Sequence, residues 1–144
     1  MNYIFLDIDG VLNTKASWRI PYSMNPQLIK RLGEIIKETG AKIILTSSWK
    51  TGFEKDMENC TPQIKALRLK MQDFGYDIYD KCPELKNRTR DKEIERYLYF
   101  NPAEKYIILD DDASLFDSKE QLYLIHCETG ITDSDVRNIK KRLS

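Results

Sequence analysis

Asp7 and Asp9 stand one residue apart, with Gly10 directly after them and the apolar run Tyr3 to Leu6 directly before. Two unpaired carboxylates at the end of a buried strand carry a heavy desolvation cost or strongly shifted pKa values. A hard cation resolves that conflict, and oxygen-only ligands of this kind suit Mg²⁺. A Ca²⁺ loop starting at Asp7 would want oxygen ligands at its fifth and twelfth positions, which are Val11 and Trp18. A second acidic cluster, Asp110-Asp111-Asp112, follows the apolar run Tyr106 to Leu109 and repeats the conflict. If the two runs are neighbouring strands, both clusters converge on one cation. Thr46, Ser47 and Ser48 follow a third apolar run; their hydroxyls suit either hydrogen bonds to a phosphoryl oxygen or helix capping. The densest basic stretch, Lys86 to Ile94, carries Arg88, Arg90 and Lys92, as a functional patch or a solvated face.

The elements that must position these residues follow from pattern. Tyr3 to Leu6, Lys42 to Leu45 and Tyr106 to Leu109 read as short strands buried on both faces, as in a parallel sheet. Asn25 and Pro26 open a helix whose inner face is Leu28, Ile29, Leu32, Ile35 and Ile36, and Gly40 stops it. Strand, helix and strand make a right-handed parallel unit. Thr14 to Ser23, with Trp18, Arg19, Pro21 and Tyr22, reads as a flap over the first strand's carboxyl end. Trp49, Phe53 and Met57 read as one helical face. Thr61 and Pro62 open a helix with Ile64, Leu67, Met71 and Phe74 inward, closed by Gly75, and with Lys65, Arg68 and Lys70 on its solvated side. Tyr76 to Tyr79 is a short strand and Asp80 to Arg88 a loop. Thr89 caps a helix carrying Ile94, Tyr97 and Leu98 that ends before Asn101-Pro102. Asp112 caps Ala113 to Phe116, Leu122 to Ile125 is a last strand, and Thr132 to Asp135 opens a terminal helix with Val136, Ile139 and Leu143 inward.

Four stretches in this order resemble the motifs of the haloacid dehalogenase (HAD) superfamily of phosphohydrolases. They are Asp7-Ile8-Asp9-Gly10-Val11-Leu12, the Thr46-Ser47-Ser48-Trp49 stretch, a cation in the Arg88 to Lys92 segment, and Leu109-Asp110-Asp111-Asp112. The resemblance implies a single catalytic domain over residues 1–144, an α/β three-layer Rossmann-like sandwich with a parallel sheet of order 5-4-1-2-3. It implies Mg²⁺ held by Asp7, the backbone carbonyl of Asp9, and Asp110, with Asp111 as a further or water-bridging ligand. Asp7 is then the nucleophile of an aspartyl-phosphate mechanism, and Asp9 the acid and base. Thr46 and Arg90 hold the phosphoryl oxygens, with Gly10, Ser47, Arg88 and Lys92 as substrate contacts. Arg90 is preferred for the third motif because it opens a helix; Arg88 and Lys92 remain open, as does Ser47 against Thr46.

Composition narrows the alternatives. With 144 residues, 23 basic against 23 acidic, the chain has one core's worth of length and no global field to recruit nucleic acid or membrane. It has no membrane-length apolar run, and Cys60, Cys82 and Cys127 form no CxxC pair, which points to free thiols in the cytoplasm. His126 is the single histidine and is expected to be structural, so serine–histidine and cysteine–histidine chemistry has no base, and no P-loop, GxGxxG or HExxH pattern occurs. Two non-enzymatic alternatives are a receiver-like phospho-acceptor module and a partner-binding pseudo-enzyme; a receiver fits less well because its phosphorylated Asp ends the third strand. The intervals Asn13 to Met24 and Trp49 to Arg88 leave no room for a substantial cap domain. The open rim, with Trp18, Arg19, Trp49, Lys86, Arg88 and Lys92, suits stacked bases and phosphates. The Thr46-Ser47-Ser48-Trp49 and Leu109-Asp110-Asp111-Asp112 stretches also resemble the phosphatase domains of polynucleotide kinase–phosphatase-type repair proteins. The expected partner is thus a phosphomonoester, with nucleic-acid ends preferred over small metabolites.

Overall fold

A computed structural model describes residues 1–18, 20, 24–86 and 89–144. Arg19, Pro21, Tyr22 and Arg88, named above, lie outside the described residues. Strand β1 (Tyr3–Leu6) is buried along its length, and its alternation sorts the core into two layers. Ile4 and Leu6 enter one hydrophobic cluster; Tyr3 and Phe5 enter another on the opposite face. Four further strands, β2 (Lys42–Leu45), β3 (Ile78–Lys81), β4 (Tyr106–Asp110) and β5 (Leu122–Leu124), complete an all-parallel sheet of order β3-β2-β1-β4-β5. β1 is therefore central, and the chain's winding reverses beside it. Such a switch point opens a crevice at the carboxyl ends of the strands.

Helices α1 (Pro26–Thr39), α2 (Pro62–Asp73) and α4 (Asp133–Leu143) cover the face of Ile4 and Leu6, and α3 (Arg90–Phe100) covers the face of Tyr3 and Phe5. The sequence explains the ends of these helices. Asn25 accepts from the Gln27 N–H with Pro26 at the first position, and Gly40 takes the left-handed conformation that ends α1. Thr132 and Asp135 form a reciprocal capping box on α4. Thr89 occupies the capping position of α3, but its hydroxyl hydrogen-bonds Asp91 instead of a backbone N–H. Asp112 caps the short turn Ala113–Leu115 through the Ser114 N–H. No helix among the described residues is long and apolar enough to cross a membrane.

Several expectations are corrected. Trp49, Phe53 and Met57 do not share a helix: the segment forms two short 3-10 turns, Ser48–Gly52 and Met57–Asn59. Phe53 is extended and Asp56 starts the second turn by accepting from the Glu58 N–H, so local capping interrupts the longer helix. Phe74 follows α2 as its end residue and is exposed, while Tyr76 is buried in its stead, its ring against Gly33 and its hydroxyl donating to the Ile29 carbonyl. Arg68 is not solvated. It is buried, clamps Asp77 with two 3.0 Å bonds and donates to the Glu54 carbonyl. Burial works against the Asp77 charge, but Arg68, Gln72 and the Ile78 N–H outweigh it and lower its pKa. With Tyr76 and Asp77 so engaged, β3 begins later than expected, at Ile78. β5 is one residue shorter than expected, although the Ile125 N–H still donates to the Asp110 carbonyl. His126 is exposed, and its backbone carbonyl accepts from Thr129 and Gly130.

Candidate active site

The pairing of Leu6 with both Leu45 and Leu109 brings the next residue of each strand to one level. Asp7 therefore follows β1, Thr46 follows β2 and Asp110 ends β4, all at the carboxyl edge of the sheet. The Asp7 N–H donates to the Leu109 carbonyl and the Thr46 N–H to the Leu6 carbonyl, each at 3.0 Å, so backbone bonds hold both side chains at the crevice. The first residue of α3 points its side chain into the same place: Arg90 Nη1 lies 3.0 Å from Asp7 Oδ1 and 2.7 Å from Asp110 Oδ2.

One carboxylate oxygen each from Asp7, Asp110 and Asp111 lies within 4.8 Å of the others. Asp7 is 4% exposed and Asp110 fully buried. Burial, then Asp110 and Asp111, push the Asp7 pKa up to about 8 against the pull of Arg90. Burial raises Asp110 as well, although Arg90 and the Asp112 N–H oppose it. One guanidinium does not offset this crowding, and a cluster of converging carboxylate oxygens is what a divalent hard cation could fit. Gly10 makes the arrangement possible. Its φ is +86°, and a Cβ there would lie 2.4 Å from Asp111 Oδ2.

Asp9 is held apart from this trio. Its Oδ1 accepts from Asn13 Nδ2 at 2.9 Å and its Oδ2 from Trp49 Nε1 at 3.3 Å. Asn13 Oδ1 in turn accepts from the Gly10 N–H and from Trp18 Nε1, both at 2.9 Å, which fixes which end of the amide faces Asp9. The two candidate hydroxyls also separate. Ser47 Oγ accepts from the Trp49 N–H and caps the following turn. Thr46 Oγ1 is buried and has no hydrogen-bond partner among the described residues. An orphan hydroxyl costs about 1–3 kcal/mol, and a ligand oxygen at the crevice would satisfy it.

Asp7, Thr46, Arg90, Asp110 and Asp111 thus sit at one sheet edge, with Asp9, Gly10 and Ser47 beside them. Lys92 is not brought there. It is exposed on α3 and pairs with Glu95, because residues two apart on a helix face different ways. Arg88 lies outside the described residues. Sequence reasoning missed Asn13 as the holder of Asp9, although it closes the same stretch, and missed the indole of Trp49 as a donor to Asp9. It also missed a buried ion pair behind the site, Lys50 with Glu93, for which no local pattern exists.

Residues 3–136 match the family model described as the HAD domain in Swiss Army Knife RNA repair proteins. No curated protein matches the chain.

Proposed function

The chain belongs to the family of HAD domains found in Swiss Army Knife RNA repair proteins, and from that premise we propose that it is a Mg²⁺-dependent phosphomonoesterase working on phosphorylated nucleic-acid ends through an aspartyl-phosphate intermediate. The observation that carries the reading is the Arg90 guanidinium bridging Asp7 and Asp110 within a trio of converging carboxylates. Asp7, Asp110 and Asp111 are the residues that would hold the metal. When bound, Mg²⁺ offsets the charge of the phosphoryl group so that an anionic nucleophile can approach it.

The chain's own residues do the rest. An Asp7 carboxylate oxygen attacks phosphorus, the bond to the leaving oxygen breaks, and Asp9 gives that oxygen its proton. Asp9 then takes a proton from water as that water attacks the phosphorus of the acyl phosphate, releasing inorganic phosphate and restoring the Asp7 carboxylate. Arg90 and the Thr46 hydroxyl bind the equatorial oxygens as charge develops on them. Asn13 and Trp49 hold the Asp9 carboxyl in a fixed orientation through one hydrogen bond to each of its oxygens.

The test is phosphate release from a panel of phosphomonoesters, small and polymeric, with Mg²⁺ or EDTA, together with acid quenching of a reaction on labelled substrate. Metal-dependent turnover and a hydroxylamine-sensitive acyl phosphate, both absent in Asp7→Asn, are the expected results. Turnover that survives in Asp7→Asn within tenfold of the parent would remove Asp7 as the nucleophile.

A further inference from the structure

The group that protonates the leaving oxygen lies against the leaving group, so whatever holds Asp9 borders the leaving group too. Two indoles do this. Trp49 Nε1 donates directly to Asp9, and Trp18 Nε1 donates to Asn13, whose amide donates to Asp9. Each ring is pinned by its N–H and presents hydrocarbon to its remaining surroundings. Trp18 is 43% exposed, and Trp49 is half-buried with its inner side packed on the core. Among the described residues no aromatic ring or cation sits on either indole.

A free sugar phosphate would bring only hydroxyls to a surface whose indole donors are already engaged, whereas a nucleotide end carries a flat nucleobase on the sugar that bears the leaving oxygen. That base would lose water from the face it lays on Trp18, and the exposed Trp18 ring would lose water as well. We infer that Trp18 and Trp49 form the seat of the leaving group, and that the terminal nucleobase of a phosphorylated strand stacks on Trp18 with Trp49 as the inner wall. This rests on the phosphatase reading above and adds to it: the enzyme prefers a base next to the scissile phosphate, beyond a phosphate on a polymer. Base–aromatic stacking of this kind supports a preference of roughly 10-fold to 100-fold over an end that lacks the base.

The chain has two tryptophans, so its intrinsic fluorescence reports on this seat. The Asp7→Asn protein with Mg²⁺ is titrated with a short oligoribonucleotide phosphorylated at either end, and with the same strand ending in an abasic phosphate. Quenching and at least about 10-fold tighter binding of the base-bearing end are expected. Trp18→Leu should cancel that difference, and Trp18→Phe should retain most of it. Equal affinity for the two ends without quenching overturns the seat, as does tighter binding of a phosphotyrosyl peptide. Wild-type turnover of both ends separates the two readings. Equal hydrolysis of both defeats the stacking inference and keeps the phosphatase, whereas hydrolysis of neither defeats the phosphatase and leaves the binding comparison to decide the seat.

Discussion

Lys50 Nζ lies 3.2 Å from Glu93 Oε1 with both side chains buried, joining the turn after Thr46 to the first turns of the helix that Arg90 opens. Glu93 Oε2 also accepts from the Leu85 N–H at 2.8 Å, and Lys81 Nζ donates to the Lys50 carbonyl at 3.1 Å. The pair touches none of the reacting groups, yet it ties the element carrying Thr46 and Trp49 to the element carrying Arg90. Removing one partner leaves the other charge buried and alone. Glu93→Gln or Lys50→Met is therefore expected to lower stability by about 3–5 kcal/mol, and the double replacement Lys50→Met with Glu93→Leu to recover most of it. Urea unfolding of the four proteins measures this directly. A single variant as stable as the parent would contradict the strut.

The sheet was legible because each of its three central strands is a short apolar run followed at once by polar chemistry, at Asp7, Thr46 and Asp110. The candidate site was legible for the same reason: its acidic residues sit at strand ends, where a continuous apolar run stops. Lys50–Glu93 and Arg68–Asp77 were not legible. Each is a charged residue on an element that already has a solvated side, and only tertiary packing turns it inward. The segment from Trp49 to Met57 misled because its apolar spacing fits a helix while Asp56 and the extended Phe53 favour separate turns. The approach of Thr61 at Gly52, where a Cβ would meet Oγ1 at 2.3 Å, is equally invisible in one dimension.

Asp7→Asn should abolish turnover while raising the melting temperature of the metal-free protein. The amide is nearly isosteric and never ionises, which removes the cost of burying an ionisable group beside Asp110 and Asp111. Thermal unfolding in EDTA, read beside phosphate release, checks both halves. A variant that melts below the parent would show that the carboxylate of Asp7 supports the fold.

The same crowding makes metal-free stability fall with pH. Asp7 titrates near 8 in the folded protein, against about 3.9 when unfolded, so the folded state holds the proton more tightly. Below about pH 4 both states are protonated and nothing is lost; between there and about 8 stability declines, and above that it levels off. Asp110, also raised by burial, adds to the decline. Mg²⁺ held as proposed would displace those protons, so the stabilisation it confers should grow as pH rises through this window. Melting temperatures in EDTA and in Mg²⁺ across the window measure it, and a metal-induced shift independent of pH would defeat the account.

Thr46→Val separates the fold from the chemistry at a single atom. The hydroxyl is buried without a partner among the described residues, so in the free protein it is a cost. Replacing it by a methyl of similar shape should leave stability unchanged or raise it by up to about 1–3 kcal/mol. In the proposed reaction the same hydroxyl would donate to a phosphoryl oxygen, and losing one such donor typically lowers kcat by about 100-fold to 1,000-fold. The two effects have opposite signs, which ordinary damage to a core does not produce. Unfolding and turnover of the Thr46→Val protein therefore decide together: loss of stability with full activity would make Thr46 a structural residue and leave Ser47 as the phosphate donor.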